Sequence, residues 1–235
     1  MPAKRGISHI EMVLSFIIFV SAVGLALYFF SPANSSRLVE STLTYSFREI
    51  GNNISISLDS VSVKINNDTN PPNDIAVNIS GLSKAKNVRV ETSGGSILES
   101  SKNGDVVSVT SDLGWASISL INILLSDDFT NGSAPLSEIN ESFYQISSTT
   151  SEDMLSEKRA LSLKEEYDLN YVMLKEEFNL PNRIDFDFSL VLQNETINTE
   201  REIPDSFEIF SEKRRVKVLR DDGLREFADL VVRVW

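Results

Sequence analysis

Residues 12–30 read MVLSFIIFVSAVGLALYFF and contain no charged side chain. At a rise of about 1.5 Å per residue, a helix of this length matches the ~30 Å hydrocarbon core of a bilayer. Apolar side chains lie on every face of such a helix, which is typical of a helix surrounded by lipid or by other helices. Ser31 and Pro32 follow, and because proline disfavours helical geometry in the residue before it, we expect a break or kink there. The stretch therefore predicts one membrane-spanning helix.

The charges around this helix predict its orientation. Lys4 and Arg5 precede it, and the next charged residue after Glu11 is Arg37. Because basic residues are retained on the cytoplasmic side of a membrane, we expect the helix to enter from the cytoplasm and the following chain to lie outside the cell. The sequence therefore predicts a single-pass protein of the cell membrane with an extracellular C-terminal domain, in contact with membrane lipid through residues 12–30.

A short motif precedes the apolar helix. Lys4, Arg5 and Gly6 are followed by Ile7, and Glu11 lies at the border of the apolar run. This arrangement resembles the class III signal peptide of type IV prepilins and archaeal pilin-like proteins, in which a basic residue and a glycine precede the cleavage site and a glutamate occupies the fifth mature position. The resemblance implies that a prepilin peptidase cleaves between Gly6 and Ile7. Glycine suits such a site because it has no side chain to obstruct a narrow protease cleft.

The resemblance also implies that the helix serves in assembly after cleavage. Cleavage creates an α-ammonium group at Ile7, and this group is the obvious partner for the Glu11 carboxylate, because an unpaired carboxylate beside hydrocarbon is unfavourable. Pairing within one subunit or between neighbours would set the axial register of helices in a filament. Ser15, Ser21 and Gly24 are small and would allow close helix approach. The expected partners are a prepilin peptidase and other pilin subunits, in a homo- or hetero-filament.

Two other interpretations of the N-terminus remain open. A plain signal anchor needs only basic charge and apolar length, and its mature chain would begin at Met1. An ordinary cleaved signal peptide is the second alternative, because Ser31-Pro32-Ala33 has the small-x-small form that signal peptidase accepts. That cleavage would leave a chain starting at Asn34, although the apolar part of a signal peptide is usually only about 7–15 residues long.

The spacing of apolar residues predicts the elements that follow. A second helix is expected from Ser35 or Ser36 to Ile50, with Gly51 ending it. Residues 52–125 then show period-two alternation, which is typical of half-buried strands, with hairpin signals at 93–96 and 103–104. Between 115 and 125 the apolar run is compatible with either a strand or a short helix.

The period changes in the last third of the chain. Apolar residues between 155 and 180 follow helical spacing, and Pro181 is expected to stop that helix. Alternation returns at 184–192, and the turn formed by 221–223 predicts a final hairpin that ties the C-terminus into the sheet. The preceding segment, 126–153, is polar and is expected to be a connector.

These patterns predict an α+β fold in which an N-terminal hydrophobic transmembrane and assembly helix is followed by a mostly antiparallel, β-rich ectodomain with one later amphipathic helix. The expected segments are a leader (1–6), the transmembrane and assembly helix (7–30), a helical stalk (31–51), a β-rich lobe (52–125), a polar connector (126–153), and a helix with strands that closes the ectodomain (154–235).

Composition excludes several classes of chemistry. The net charge is −12, which disfavours nucleic acid, a ligand that needs basic patches. There is no cysteine, so disulfides, thiolate metal sites and cysteine nucleophiles are excluded. His9 is the one histidine, and it precedes the apolar run, which leaves the ectodomain without a Ser-His-Asp triad or a His-ligated zinc. We therefore expect no enzymatic activity, no catalytic residues, no metal, no cofactor and no nucleic-acid partner.

Acidic clusters are better explained by solvation and turns than by chemistry. Asp185 and Asp187 flank Phe186 on an expected strand, where a carboxylate pair would be needed for glycoside hydrolysis, but exposed acids on a strand are usually only solvated. Asp68 and the 127–128 acid pair offer oxygen ligands for Ca²⁺, although their spacing matches no known calcium loop. The basic run 213–215 is expected to guard an edge strand.

Asn-x-Ser/Thr sequons predict surface decoration of an exported domain and hence a glycoprotein. The candidate glycosylation sites are Asn34, Asn53, Asn67, Asn78, Asn131, Asn140 and Asn194. Asn53 and Asn78 border or lie in expected strands, so their side chains must face outward to be used.

The favoured hypothesis from these features is a pilin-like cell-surface subunit, processed by prepilin peptidase and assembled into a filament for adhesion or surface interaction. The alternative is a monomeric, membrane-anchored extracellular binding or adhesion protein that does not polymerise.

Overall fold

The computed structural model describes residues 9–29, 32–81, 86–135, 137–204 and 207–235, and the side chains at 9–10, 29 and 32–38 lie outside the description. Three α-helices are present in the described chain: α1 (His9–Phe29), α2 (Pro32–Ile54) and α3 (Glu157–Glu177). The strands are β1 (Ser55–Ile65), β2 (Asp74–Asn78), β3 (Asn87–Thr92), β4 (Ile97–Asn103), β5 (Val106–Thr110), β6 (Leu120–Ser126), β7 (Tyr144–Ser156), β8 (Phe186–Val191), β9 (Thr196–Asn198), β10 (Phe210–Leu219) and β11 (Arg225–Val234).

One 11-stranded sheet runs through the folded domain that follows α1, in the order β2-β5-β4-β3-β6-β1-β7-β10-β11-β8-β9. Among these strands, neighbours pair antiparallel except at β7 and β10, which run parallel and share only the pairs Val218–Leu155 and Leu219–Ser156. The fold is thus α+β with a mostly antiparallel sheet, as the apolar alternation predicts. The short β7–β10 contact is a seam between an N-terminal half (β1–β7) and a C-terminal half (β8–β11).

The N-terminal half encloses its own core. Strands β2, β4 and β5 fold over β1, β3 and β6, and the β-branched residues of these strands face one another in the interior. The hairpins predicted at 93–96 and 103–104 are confirmed, because they join β3 to β4 and β4 to β5. Trp115 lies in a turn before β6, and its indole Nε1 donates to the carbonyl oxygen of Pro72 at 2.7 Å. The ambiguous run between 115 and 125 is therefore a turn followed by a strand.

The C-terminal half is built by α3 lying on one face of β8–β11. Ser156 caps this helix by accepting a hydrogen bond from the Arg159 amide at 3.1 Å. Apolar residues at helical spacing along α3 are buried against Phe186 and Phe188, whose burial contributes roughly 1.5–3 kcal/mol each. The helix ends before Asn179, which adopts a left-handed conformation with φ of 51°. The later helix and the C-terminal hairpin, β10–β11, are therefore present as expected, although α3 also carries exposed apolar side chains on the side away from the core.

Helix α2 extends further than the sequence predicts. Gly51 does not end it, because the helix continues to Ile54. Leu43, Phe47 and Ile50 are buried in the same core as α3 and the C-terminal strands. The segment predicted as a helical stalk (31–51) is therefore, in its C-terminal part, packed into the core of the folded domain.

The prediction of a polar connector at 126–153 is wrong for its second part. Residues Tyr144–Ser156 form the 13-residue strand β7, which pairs antiparallel with β1. Side chains 145–153 are exposed on both faces of this strand, so the sequence has no apolar alternation there to reveal it.

Candidate membrane and assembly site

Helix α1 is uncovered by the rest of the described chain. The window Glu11–Tyr28 has a mean hydropathy of 2.1, and none of it is buried within the protein. Such an apolar surface is unfavourable in water, and the helix is long and apolar enough to span a membrane. The apolar surface of α1 is therefore left without a covering by the rest of the described chain.

The four residues expected to serve in assembly lie on two faces of α1. Glu11 is in the first turn, and Ser15 follows it one turn later, so these two side chains share a face. Ser21 and Gly24 are three residues apart and share a second face, roughly 120° around the helix from Ser15. A Cβ added at Gly24 would meet no atom within 4 Å. The helix therefore presents small residues in two directions rather than along one stripe.

The leader positions Lys4, Arg5, Gly6 and Ile7 lie outside the described residues, as does Ser31 at the expected kink. Pro32 is the first residue of α2, a position where the missing amide hydrogen of proline is tolerated. The two helices are thus separate elements on either side of 30–31.

Contacts of α2 hold its C-terminal part to the folded domain. The Phe47 ring is 6% exposed and packs beneath the guanidinium of Arg214, which lies 4.5 Å from the ring centroid. Ile50 and Ile54 are fully buried in the core that α3 and the C-terminal strands share. The C-terminal part of α2 is therefore held by packing.

The prediction that Asp185 and Asp187 are merely solvated is wrong for Asp187, which is buried, whereas Asp185 is partly exposed. Asp187 is almost completely buried, and its carboxylate receives a hydrogen bond from Arg233 Nε at 2.7 Å across β8 and β11. Burial raises the pKa of Asp187 above its ordinary value of 3.8, although the Arg233 hydrogen bond acts in the opposite direction.

Asp185 belongs to a second network. The Tyr171 hydroxyl donates to Asp185 Oδ1 at 2.8 Å, and Lys175 Nζ donates to the same oxygen at 3.0 Å. Burial by itself raises the pKa of Asp185, but the bonds from Tyr171 and Lys175 together hold it below its ordinary value of 3.8. Tyr171 is buried, which raises the pKa of its own hydroxyl. Both carboxylates are thus occupied by structural partners.

Loop acids and loop amides have local structural roles. The Asn67–Thr69 turn is closed by Asn70, which takes a left-handed conformation with φ of 47°. Asp128 pairs with Arg159 at 3.3 Å. No group of three or more His, Cys, Asp or Glu side chains suited to a metal ion occurs among the described residues.

The sequons differ in how accessible their amides are. The Asn131 side-chain amide makes two hydrogen bonds with the backbone of Lys102. Its Nδ2 donates to the Lys102 carbonyl oxygen at 2.9 Å, and its Oδ1 accepts from the Lys102 amide. Asn78 is half-buried at the end of β2, and its Oδ1 accepts from the Ser80 amide. Asn34 has no described side chain, and the exposed sites are Asn53, Asn67, Asn131, Asn140 and Asn194. Asn53 lies in the last turn of α2, two residues before β1 begins.

The charged run 213–215 lies in β10, as predicted. This strand pairs with β11 along its whole length but with β7 only at its last two residues, so the edge facing β7 is otherwise without a strand partner in the described chain. Lys213 pairs with Asp229 at 2.9 Å, and Arg214 pairs with Glu212. Charge at an open strand edge disfavours pairing with other chains at that edge.

Comparisons with protein-family models, with curated protein sequences and with solved structures give no match for this chain. The arrangement itself is a folded α+β domain that carries one long apolar helix with no covering of its own.

Proposed function

We propose that this protein is a type IV pilin-like cell-surface subunit. In this proposal a prepilin peptidase removes residues 1–6, the ectodomain lies outside the cell, and α1 passes from the membrane into a filament of pilin subunits. The observation that carries the proposal is the helix α1, apolar on all faces and buried nowhere in the protein. One helix that requires lipid before assembly and other helices afterwards has both properties that such a subunit needs.

The residues before α1 favour a helix whose leader peptide is cleaved over an uncleaved signal anchor. Lys4, Arg5 and Gly6 stand where a class III leader has its basic residue and glycine, and Glu11 is in the first helical turn. A carboxylate at this depth is unfavourable for a permanent anchor, because it borders hydrocarbon. In a filament the new ammonium group at Ile7 compensates it. This pairing explains why an otherwise apolar helix retains one acid.

The folded domain supports an adhesive or coating role. Its strands form one continuous sheet, and the C-terminal part of α2 is packed into the core on that sheet. In this proposal, force applied to the ectodomain passes through this core to α2 and along the chain to α1. The function proposed for the ectodomain is adhesion or surface interaction.

The test replaces Glu11 in cells that contain a prepilin peptidase and an assembly system. For Glu11→Ala we expect normal membrane insertion and cleavage, and at least about a tenfold loss of filament incorporation, because removal of one partner of a buried ion pair costs about 3–5 kcal/mol. Filaments sheared from cells are compared with the membrane fraction by immunoblot.

Glu40→Ala is the matched control, since Glu40 is an exposed acid on α2. Equal incorporation of both variants, or failure of Glu11→Ala to insert into the membrane, would contradict an assembly role for Glu11. A chain that never leaves the membrane although peptidase and assembly system are active would instead favour the monomeric, membrane-anchored adhesion protein.

A further inference from the structure

The outward side of α3 is apolar although α3 already buries its opposite side. Leu169, Val172 and Met173 are 80%, 67% and 69% exposed, and Leu161 is 44% exposed about two turns before Leu169. Asn170 has a non-helical backbone conformation, so α3 is kinked between Leu169 and Val172. We call the surface formed by these four apolar residues, together with the neighbouring Glu165 and Glu176, the α3 outer face. Exposed apolar side chains grouped on one helix face favour contact with another surface.

Acidic side chains surround these apolar residues. Glu165, Glu166, Glu176 and Glu177 are exposed, and the nearby Asp168 pairs with Lys164 at 2.6 Å. Lys175 points the other way and is buried beside Asp185. The α3 outer face is thus apolar with an acidic surround.

A surface of opposite character lies on the other side of the same strands. Alternate residues of β11 are buried beneath α2 and α3, so the residues between them face away from those helices. In register across β10 and β11, Lys213 lies opposite Val231 and Lys217 opposite Phe227. We call the surface formed by Lys213, Arg215, Lys217, Phe227, Asp229, Val231 and Arg233 the β10–β11 outer face.

Two cations of this face, Lys213 and Arg233, are more exposed than the carboxylates with which they pair. Lys213 is 62% exposed against 35% for its partner Asp229, and Arg233 is 43% exposed against 2% for Asp187. Arg215 lies 5.0 Å from the centroid of the Phe227 ring, which is itself half exposed. Lys217 also pairs with Glu152 of β7, and these two side chains are about equally exposed. The four cations of this surface therefore outnumber its two exposed carboxylates, Glu152 and Asp229, and apolar side chains lie between the charges.

We propose that the α3 outer face of one copy of this chain docks on the β10–β11 outer face of the next copy. Copies with a net charge of −12 repel one another unless contact occurs through a basic surface, and the β10–β11 outer face meets that need. Leu169, Val172 and Met173 would lose contact with water against Phe227 and Val231, while glutamates meet lysine and arginine.

The position of the two faces determines the kind of assembly. The two faces lie on opposite sides of one sheet. Each copy therefore contacts one neighbour through its α3 outer face and a second neighbour through its β10–β11 outer face. Such heterologous contacts build open helical arrays rather than closed dimers. This inference rests on the proposed filament function and adds the lateral contact between ectodomains.

The absence of cysteine allows a direct test by disulfide formation in the full chain. The double variant Met173→Cys with Val231→Cys, in assembled filaments under mild oxidation, is expected to give a ladder of dimers, trimers and longer species on a non-reducing gel. Each single variant is expected to remain monomeric on the gel, because a heterologous contact does not bring identical residues together. The double variant Leu113→Cys with Val231→Cys is the matched control, since Leu113 is 95% exposed in the N-terminal half.

Charge exchange gives the second arm of the test. Glu165→Lys with Glu176→Lys is expected to reduce the ladder about tenfold, since like charges then face each other. Adding Lys213→Glu with Arg215→Glu is expected to restore it. Glu138→Lys with Glu141→Lys, which changes exposed acids far from both faces in sequence, is expected to leave the ladder unchanged.

The outcomes separate this inference from the proposed function. A ladder that is lost on charge reversal and regained on exchange supports the contact. Filaments that assemble but give no ladder, or that give dimers from a single cysteine, overturn the heterologous contact and leave the pilin-like function standing. Failure of leader cleavage and of filament formation by the unsubstituted chain overturns the proposed function itself.

Discussion

At the residue scale, Asp185 is held by two groups of α3, the Tyr171 hydroxyl and the Lys175 ammonium. Lys175 is itself buried, and Asp185 is its carboxylate partner, so the pair compensates a charge removed from water. The same Tyr171 hydroxyl accepts a hydrogen bond from the Phe186 amide at 3.1 Å. The network therefore fastens the helix to the first residues of β8.

Asp185→Asn is expected to lower the free energy of unfolding at pH 7 by about 1 kcal/mol. The effect is smaller than for a fully buried ion pair, because more than a third of the Asp185 side chain is exposed to solvent, which screens the charge. Because the pKa of Asp185 is depressed in the folded state, its stabilising contribution is present above the ordinary value of 3.8 and is lost as pH falls through the folded value. The difference between variant and native protein should thus shrink below about pH 4.

Urea unfolding followed by circular dichroism from pH 3 to pH 7 measures this difference. Asp112→Asn, at an exposed turn, is the control and is expected to change stability little at any pH. A deficit for Asp185→Asn that stays the same at pH 3 and pH 7 would disprove the electrostatic origin.

Single-residue environments of this kind could be predicted only in part from sequence. Period-two alternation places Asp185 and Asp187 on the opposite face from Phe186, and that much is correct. Their partners come from α3 and from β11, and no local pattern indicates that Arg233 lies beside Asp187. A buried ion pair depends on strand order, which the local sequence does not contain.

At the scale of elements, α2 belongs to the ectodomain and α1 does not. Leu43, Phe47 and Ile50 are buried in the C-terminal core, whereas the α1 residues from 11 to 28 are exposed. Apolar periodicity predicts both helices, since α1 is apolar all round and α2 has one apolar stripe. Strand β7 was missed because its exposed side chains carry no alternation.

Phe47→Ala is expected to lower the free energy of unfolding of the ectodomain by about 3–5 kcal/mol, since it leaves a cavity in the shared core and removes the ring beneath Arg214. Thr44→Ala, exposed on the same helix, is expected to cost less than about 0.5 kcal/mol. Urea unfolding monitored by tryptophan fluorescence compares the two variants. Equal stability of both would mean that α2 is a separate stalk.

At the scale of the whole molecule, two larger cores share one sheet, and a third, smaller buried cluster that includes Leu58, Met154 and Leu219 lies at the β7–β10 seam between them. The class of fold, its hairpins and its later helix follow from apolar period and turn residues. Strand order and the parallel seam do not, because they depend on contacts between residues far apart in the chain, such as Leu155 with Val218. The charge character of the two outer faces also becomes visible only once the strands are placed.

Removal of α1 is expected to leave the ectodomain folded, because none of the window Glu11–Tyr28 is buried against it. A chain of residues 34–235 should be soluble without detergent and should unfold in one cooperative thermal transition at nearly the same temperature as the full chain in detergent. Circular dichroism during heating measures both. A loss of cooperative unfolding on deletion would show that α1 contributes to the domain core.

The N-terminal sequence of the protein extracted from cells that contain a prepilin peptidase is the most direct measurement of the central claim. The account predicts a mature chain that begins at Ile7, and a Gly6→Leu variant that retains the leader because a bulky side chain obstructs the protease site. A native chain that still begins at Met1 under those conditions, or one that begins at Asn34, would contradict it.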